Sequence, residues 1–300
     1  MPVLSASAVP FQLRRVLARE EYRTGSSLDD ATRLGLPLWE TTLSQLLWFA
    51  LATDPATRSQ LRVRVYSQTE EGTNGADWLW SFSSPSTTTV MPLLVQAKRL
   101  RDGRYAINQP AGAVTQAELF SQYSAGERIP AAYVFYNPQS VAAAVSLPCD
   151  WETRLCPLGG ITIADAHEVA SIARGTTAVS LNPTWSYPSP SGLSIAEVAW
   201  PLSCGLCCSV HHTWPSGAFP EAIGRALEAS GVHGTTLVDQ DSSFVVELRE
   251  AISALRETSA AGAGLDGAFD QGGDAEAHLE GFLERRGVSG LISVEMDPAD

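Results

Sequence analysis

Lysine is almost absent from this chain. Of its 20 basic residues, 19 are Arg and one is Lys, at position 98, against 33 acidic residues and a formal net charge of −13. Cysteine is sparse at five. That odd number, with no apolar signal segment ahead of it, points to a reduced, cytoplasmic protein and not to a disulfide-built secreted one. Long apolar runs are missing too. The longest, such as Leu46 to Ala52, fall far short of the roughly 20 residues of a spanning helix, so no membrane partner is expected. Disorder is excluded by composition, with 44% hydrophobic and 18% charged residues, and 300 residues suffice for one large domain or two smaller ones.

An acidic excess of this size argues against a nucleic-acid partner, but it is unevenly placed. Residues 1–140 hold 13 basic and 12 acidic residues (net +1), whereas residues 217–300 hold 5 basic and 16 acidic (net −11). Within the balanced half, Arg58, Arg62, Arg64, Lys98, Arg99, Arg101 and Arg104 form two basic clusters. Such clusters suit phosphate binding, and equally a solvated face.

The pattern along the chain is that of an α/β protein. Helices are expected over 12–24 and 36–52; in the second, Trp39, Leu43, Leu46, Leu47 and Ala50 recur on one apolar face. Strands are expected over 61–66, 78–82 and 90–97, with a turn over 72–75, then a helix over 115–125 and a strand over 131–136. Beyond these, helices are expected over 162–174, 221–230 and 244–257 and a last strand over 290–296. Three regions follow. Residues 1–140 form the core, 141–220 a Cys- and Trp-rich accessory region packed on it, and 221–300 an acidic region with a Gly/Ala/Asp-rich connector over about 259–277.

The lone lysine ends the most apolar strand, in Val95-Gln96-Ala97-Lys98. Side chains alternate along a strand, so Gln96 and Lys98 share a face. Asp77 starts the preceding strand, and hairpin pairing would set it beside Gln96. Glu40, on the helix over 36–52, could reach the same point. Two carboxylates, an amide oxygen and an ammonium suit phosphodiester hydrolysis. A hard cation such as Mg²⁺ takes oxygen ligands, polarises the phosphoryl group and activates water, and an ammonium orients that water or offsets developing charge. Lys supplies a compact point charge where Arg would bring a bulky fork.

In this order Glu40, Gly75-Ala76-Asp77 and Gln96-Ala97-Lys98 resemble the PD-(D/E)xK nuclease superfamily. The stretch from about Leu36 to Asn137 is similar to an uncharacterised bacterial family of restriction-endonuclease-like proteins. The similarity is carried by Trp39-Glu40-Thr41-Thr42, Gly75 to Trp80, Val95 to Leu100, Gln116 and Phe135-Tyr136-Asn137. The resemblance implies a restriction-endonuclease-like core, a central mixed sheet flanked by helices in α-β-β-β-α-β order, with a C-terminal extension. It implies a Mg²⁺- or Mn²⁺-dependent endonuclease in which Asp77, Glu40 and Gln96 hold the metal and Lys98 is catalytic. Gln116 and Arg99 would contact substrate. DNA is favoured over RNA, a dimer is compatible, and a role in defence against foreign nucleic acid is suggested. The chain departs from the pattern twice: Ala76 replaces Pro, and Gln96 stands where Asp or Glu is usual.

Other readings stay open. Asp77 could be a turn residue, Glu40 a solvated residue near a helix start, and Gln96 and Gln116 ordinary hydrogen-bonding amides. With Gln96 weakening catalysis, the protein could be a nuclease-fold module that binds nucleic acid without cutting it. Cys204-x-x-Cys207-Cys208, with Cys149 and Cys156, could form a structural zinc site in an interaction protein. The run 202–210 reads equally as a buried strand whose cysteines are small core residues.

Overall fold

A computed structural model describes residues 8–58, 61–65, 74–84, 87–101, 104–107, 109–111, 113–142, 160–177, 185–186, 198–207, 219–229, 231–235, 238–262, 273–288 and 290–295. In chain order these form α1 (Ala8–Leu34), α2 (Glu40–Thr53), β1 (Leu61–Val65), β2 (Trp78–Ser83), β3 (Val90–Arg99) and the short β4 (Arg104–Tyr105), β5 (Pro110–Ala111) and β6 (Val114–Thr115). Then come α3 (Gln116–Glu127), β7 (Ala131–Tyr136), α4 (Gln139–Ala142), β8 (Ile161–Asp165), α5 (Ala166–Thr177), β9 (Trp185–Ser186), β10 (Trp200–Pro201) and α6 (Leu202–Cys207). The chain closes with α7 (Phe219–Ala229), α8 (Ser243–Gly262), α9 (Gly273–Arg286) and β11 (Gly290–Glu295).

The architecture is mixed α/β. A seven-stranded sheet runs β1-β11-β2-β3-β7-β8-β10, with parallel pairing of β11 to β2 and of β3 to β7 and antiparallel pairing elsewhere. Both faces are covered, which is why β2, β3 and β7 read as nearly unbroken apolar runs. On one face Leu79, Leu94, Tyr133, Phe135 and Leu291 pack with Phe120 of α3, Val169 of α5, Phe244 and Leu248 of α8 and Phe282 of α9. On the other, Trp78, Trp80, Val95, Val134 and Tyr136 meet Leu13 and Leu17 of α1, Leu43 and Leu47 of α2 and Ile223 of α7.

The expected β2–β3 hairpin is present, Trp78 lying opposite Val95. The C-terminal strand is not peripheral. β11 lies between β1 and β2, pairing Ile292 with Val63 on one side and with Trp80 on the other. The sheet therefore takes strands from residues 1–140 and from 290–295 together, and the three sequence regions do not correspond to separate sheets.

Several boundaries differ from expectation. α1 continues past Gly25 to Leu34, because Gly25 is where other chain packs against the helix. A Cβ there would stand 3.2 Å from the Gln139 backbone nitrogen. Residues 36–39 are not helical; Gly35 leaves α1 at φ +66, and Pro37 disfavours helix at Leu36. Residues 162–165 are strand, not helix, as the β-branched Ile-Thr-Ile run favours, and α5 starts only where Asp165 Oδ1 accepts from the amides of His167 (2.8 Å) and Glu168 (2.9 Å). The proposed Cys strand is instead helix α6 over 202–207, with Cys204 buried at its start. The connector narrows from both ends. α8 runs to Gly262, and α9, missed among Gly and Asp, begins at 273 and buries Leu279, Phe282 and Leu283.

Candidate active site

The end of β3 is where the nominated residues meet. Along β3 the even-numbered side bonds β7: the Leu94 amide donates to Pro130 O (3.0 Å) and that of Leu100, just past the strand, to Tyr136 O (2.9 Å). The odd-numbered amides point to the β2 side, but β2 begins only at Trp78, opposite Val95. Past that point no described strand covers the edge, and unpaired edge amides need acceptors. Asp77 Oδ2 accepts from the Ala97 amide at 2.6 Å, and Glu40 Oε1 accepts from the Arg99 amide at 2.9 Å. The two carboxylates, from a turn and from the first turn of α2, thus sit on one strand edge at amides roughly 7 Å apart.

Asp77 is also across the hairpin from Gln96, as its place before Trp78 requires. Gln96 Nε2 donates to Asp77 Oδ2 at 2.7 Å. Gln96 is 2% exposed, and among the described residues its Oε1 has no hydrogen-bond partner. A buried amide oxygen left unpaired is destabilising unless something donates to it or binds it. Lys98, 4% exposed, lies on the same face one pleat on, and its Nζ donates to Gln116 Oε1 at 2.8 Å.

Gln116 is the first residue of α3. Thr115 caps that helix in a reciprocal box with Glu118: the Glu118 amide donates to Thr115 Oγ1, and the Thr115 amide donates to the Glu118 carboxylate. Those bonds hold the Glu118 carboxyl below its ordinary range, the Thr115 backbone contributing most. The turn carrying Asp77 is pressed onto the same helix. Gly75 has φ +76, and a Cβ there would lie 3.1 Å from Phe120 Cβ and 3.3 Å from Gln116 O. Asn74 braces the turn by accepting from the Ala76 amide (2.8 Å) and donating to Arg286 O at the end of α9.

Two buried tyrosines complete the setting. Tyr136 shares a hydrogen bond with Ser44 of α2 at 2.8 Å; burial pushes its hydroxyl pKa up, and Asp77 and Glu40 push it further, so both carboxylates act on one ring. Tyr133, opposite Gln96 on β7, is raised by burial and by Asp77. The sequence marks Tyr133 only as part of an apolar strand and Tyr136 as part of the Phe135-Tyr136-Asn137 motif, with no role at the site for either. Signals for Asn74 and the Arg286 carbonyl were weaker still, because bracing of a turn by a distant helix end leaves no local pattern.

Five of the six expected residues, Glu40, Asp77, Gln96, Lys98 and Gln116, therefore bond at the end of β3. Arg99 is anchored differently, its guanidinium donating to Leu38 O ahead of α2 while its amide bonds Glu40. Cys149 and Cys156 lie outside the described residues, Cys207 is described only as backbone of α6, and Cys204 is buried. Among the described residues no group of three or more His, Cys, Asp or Glu is placed to hold a metal, and no helix is long and apolar enough to cross a membrane.

No curated protein and no solved structure matches the chain. The profile of the family of unknown function DUF6615 matches residues 13–284, and the chain belongs to that family.

Proposed function

We propose that the end of β3 is the active site of a divalent-metal-dependent nuclease of the PD-(D/E)xK type, on a restriction-endonuclease-like core. The observation that carries this reading is the buried lysine. The chain's only Lys is buried and held by Gln116, on the strand whose next edge amides bond Asp77 and Glu40 and whose Gln96 oxygen has no partner among the described residues.

The donor set fits a hard cation. Asp77 and Glu40 supply charge, and Gln96 Oε1 is a buried oxygen that needs an electropositive partner. Asp77 and Gln96 would hold Mg²⁺ or Mn²⁺, with Glu40 adding the second negative charge. When bound, the ion polarises the phosphoryl group and lowers the pKa of water. The Lys98 ammonium, with Gln116 limiting its rotamers, orients the attacking water and offsets charge on the phosphate oxygens. Asp77 keeps the Gln96 amide aimed by accepting from its Nε2. Arg99, whose guanidinium donates to Leu38 O, would meet substrate phosphate. DNA is the favoured substrate class.

Mn²⁺ titration followed by calorimetry tests the donor set directly, and nicking of mixed DNA and RNA in Mg²⁺ or Mn²⁺ tests the chemistry. Wild type is expected to bind Mn²⁺ and cut; Asp77→Asn loses both, and Lys98→Ala binds metal without cutting. Cleavage that survives both substitutions would sink the proposal.

A second reading is favoured by one observation, that Asp77 and Glu40 already serve the edge amides of Ala97 and Arg99. On it the carboxylates are strand caps, and the fold binds nucleic acid without turnover, with log affinity falling as log salt rises. It leaves the buried Lys98 and the unpartnered Gln96 Oε1 without a role, which is why it ranks second.

A further inference from the structure

α2 carries large apolar side chains on two sides, and one of those sides faces outward. Its sequence, ETTLSQLLWFALAT, has a single charge at Glu40, and Leu46 to Ala52 is unbroken apolar. An amphipathic surface helix normally turns its large apolar residues to the core. Here Leu43, Leu47, Trp48 and Leu51 are buried against the sheet, whereas Leu46 is 55% and Phe49 67% exposed. Trp39, Thr42, Leu46, Phe49 and Thr53 recur at three- and four-residue spacing and form the outward stripe. Trp39 is 59% exposed and sits at the N-cap, where it makes no capping bond, so neither capping nor packing accounts for it. Leu34 and Leu36, 57% and 60% exposed, continue the apolar surface into the α1–α2 connection.

Five large side chains at such exposure present roughly 600 Å² of apolar surface, taking about 200 Å² for each. That is the upper limit for a monomer's largest patch and most of the ~800 Å² per partner of a standard interface. Phosphate is a poor occupant, since no Lys or Arg lies on α2. A membrane surface is poor as well, because interfacial helices flank their apolar face with basic residues. A second α2 is a good one. Running antiparallel about a twofold axis, the N-terminal end of one helix meets the C-terminal end of the other, so the two helix dipoles oppose. A twofold interface must be self-complementary, and an outward stripe without charged residues meets that requirement.

We infer that the outward stripe of α2, with the α1–α2 connection, is the face on which two copies of this chain pair. The inference stands independently of the nuclease reading. It also places Glu40 at the subunit boundary.

Light scattering and sedimentation of the full chain over a concentration series test it. Wild type is expected at twice the chain mass of 32.0 kDa, falling to one chain mass on dilution. Leu46→Glu/Phe49→Glu is expected at one chain mass throughout, with the far-UV spectrum and thermal transition of a folded protein. Leu34→Lys/Leu36→Lys serves if that pair misfolds. Val246→Glu, at an exposed site on α8, is expected to pair like wild type. A wild type that stays monomeric, or a folded stripe variant that still pairs, overturns the inference. So does hydroxyl-radical footprinting that finds Phe49 already protected in the monomer, by another segment of the chain, or protected only by added oligonucleotide.

Discussion

Lys98 and Gln96 occupy neighbouring inward positions of β3 and illustrate opposite ways of burying polarity. Lys98 has its acceptor in Gln116, while Gln96 donates to Asp77 and leaves its oxygen unpartnered. Replacing Lys98 by Met keeps the stem and removes the charge. On the proposed nuclease reading, cleavage is expected to fall about 10²–10⁴-fold, while the protein remains folded with Mn²⁺ affinity unchanged or higher. Lys98→Arg is not expected to restore activity, because the guanidinium fork does not fit a site built around a point charge. Gln96→Glu sets a carboxylate within 2.7 Å of Asp77 Oδ2. Its folded pKa is raised by the like charge, so the folded state binds more protons than the unfolded one. Stability is therefore lost as pH rises from the ordinary glutamate range through the raised folded pKa. Mg²⁺ should restore it, raising Tm more in this variant than in wild type; an equal rise in both would remove the cation from this position.

The α3 start and the turn before β2 form one unit at the scale of elements. Gly75→Ala introduces a Cβ at φ +76, 3.1 Å from Phe120 Cβ. Urea unfolding should show a loss of about 1–3 kcal/mol, with reduced activity because Asp77 is two residues away. Glu118→Ala breaks the capping box and should lose about 1 kcal/mol at neutral pH. The Glu118 pKa is depressed in the fold below its ordinary 4.5, so its contribution is present above that value and lost as pH falls through the folded pKa. Wild type and variant should therefore converge in stability on acidification. A gap that persists in acid would assign the effect to packing.

The helix over 36–52 shows where sequence periodicity misleads. Trp39 and Leu46 were read on the buried face with Leu43 and Leu47, but the sheet covers only the latter pair. Where a helix holds an unbroken apolar run, as from Leu46 to Ala52, several faces satisfy the same spacing. What covers each is a tertiary matter.

The whole molecule is tied together by residues far apart in sequence. β11 fills the gap between β1 and β2, and Arg286 just before it reaches Glu127 (3.3 Å) and Glu247 (2.8 Å) and lies 4.7 Å over the Phe244 ring. Truncation after Gly287 should leave β1 and β2 without a common neighbour. Far-UV circular dichroism is expected to show a chain that does not fold, and residues 1–140 alone should behave the same way. A cooperative unfolding transition from the 1–140 fragment would show that the N-terminal half folds without the strand that separates β1 from β2.

The sequence by itself determined the elements around the candidate site and the alignment of Asp77 with Gln96. Both follow from local periodicity, since a strand alternates every residue and a hairpin sets its register through its turn. It also singled out Lys98, because composition makes one residue in 20 conspicuous. Only the tertiary structure decided that β11 enters the centre of the sheet, that β2 starts too late to cover the Ala97 and Arg99 amides, and that Asp77 and Glu40 take them instead. Strand order and edge exposure depend on contacts between residues hundreds of positions apart, and such contacts leave no periodic trace in the chain.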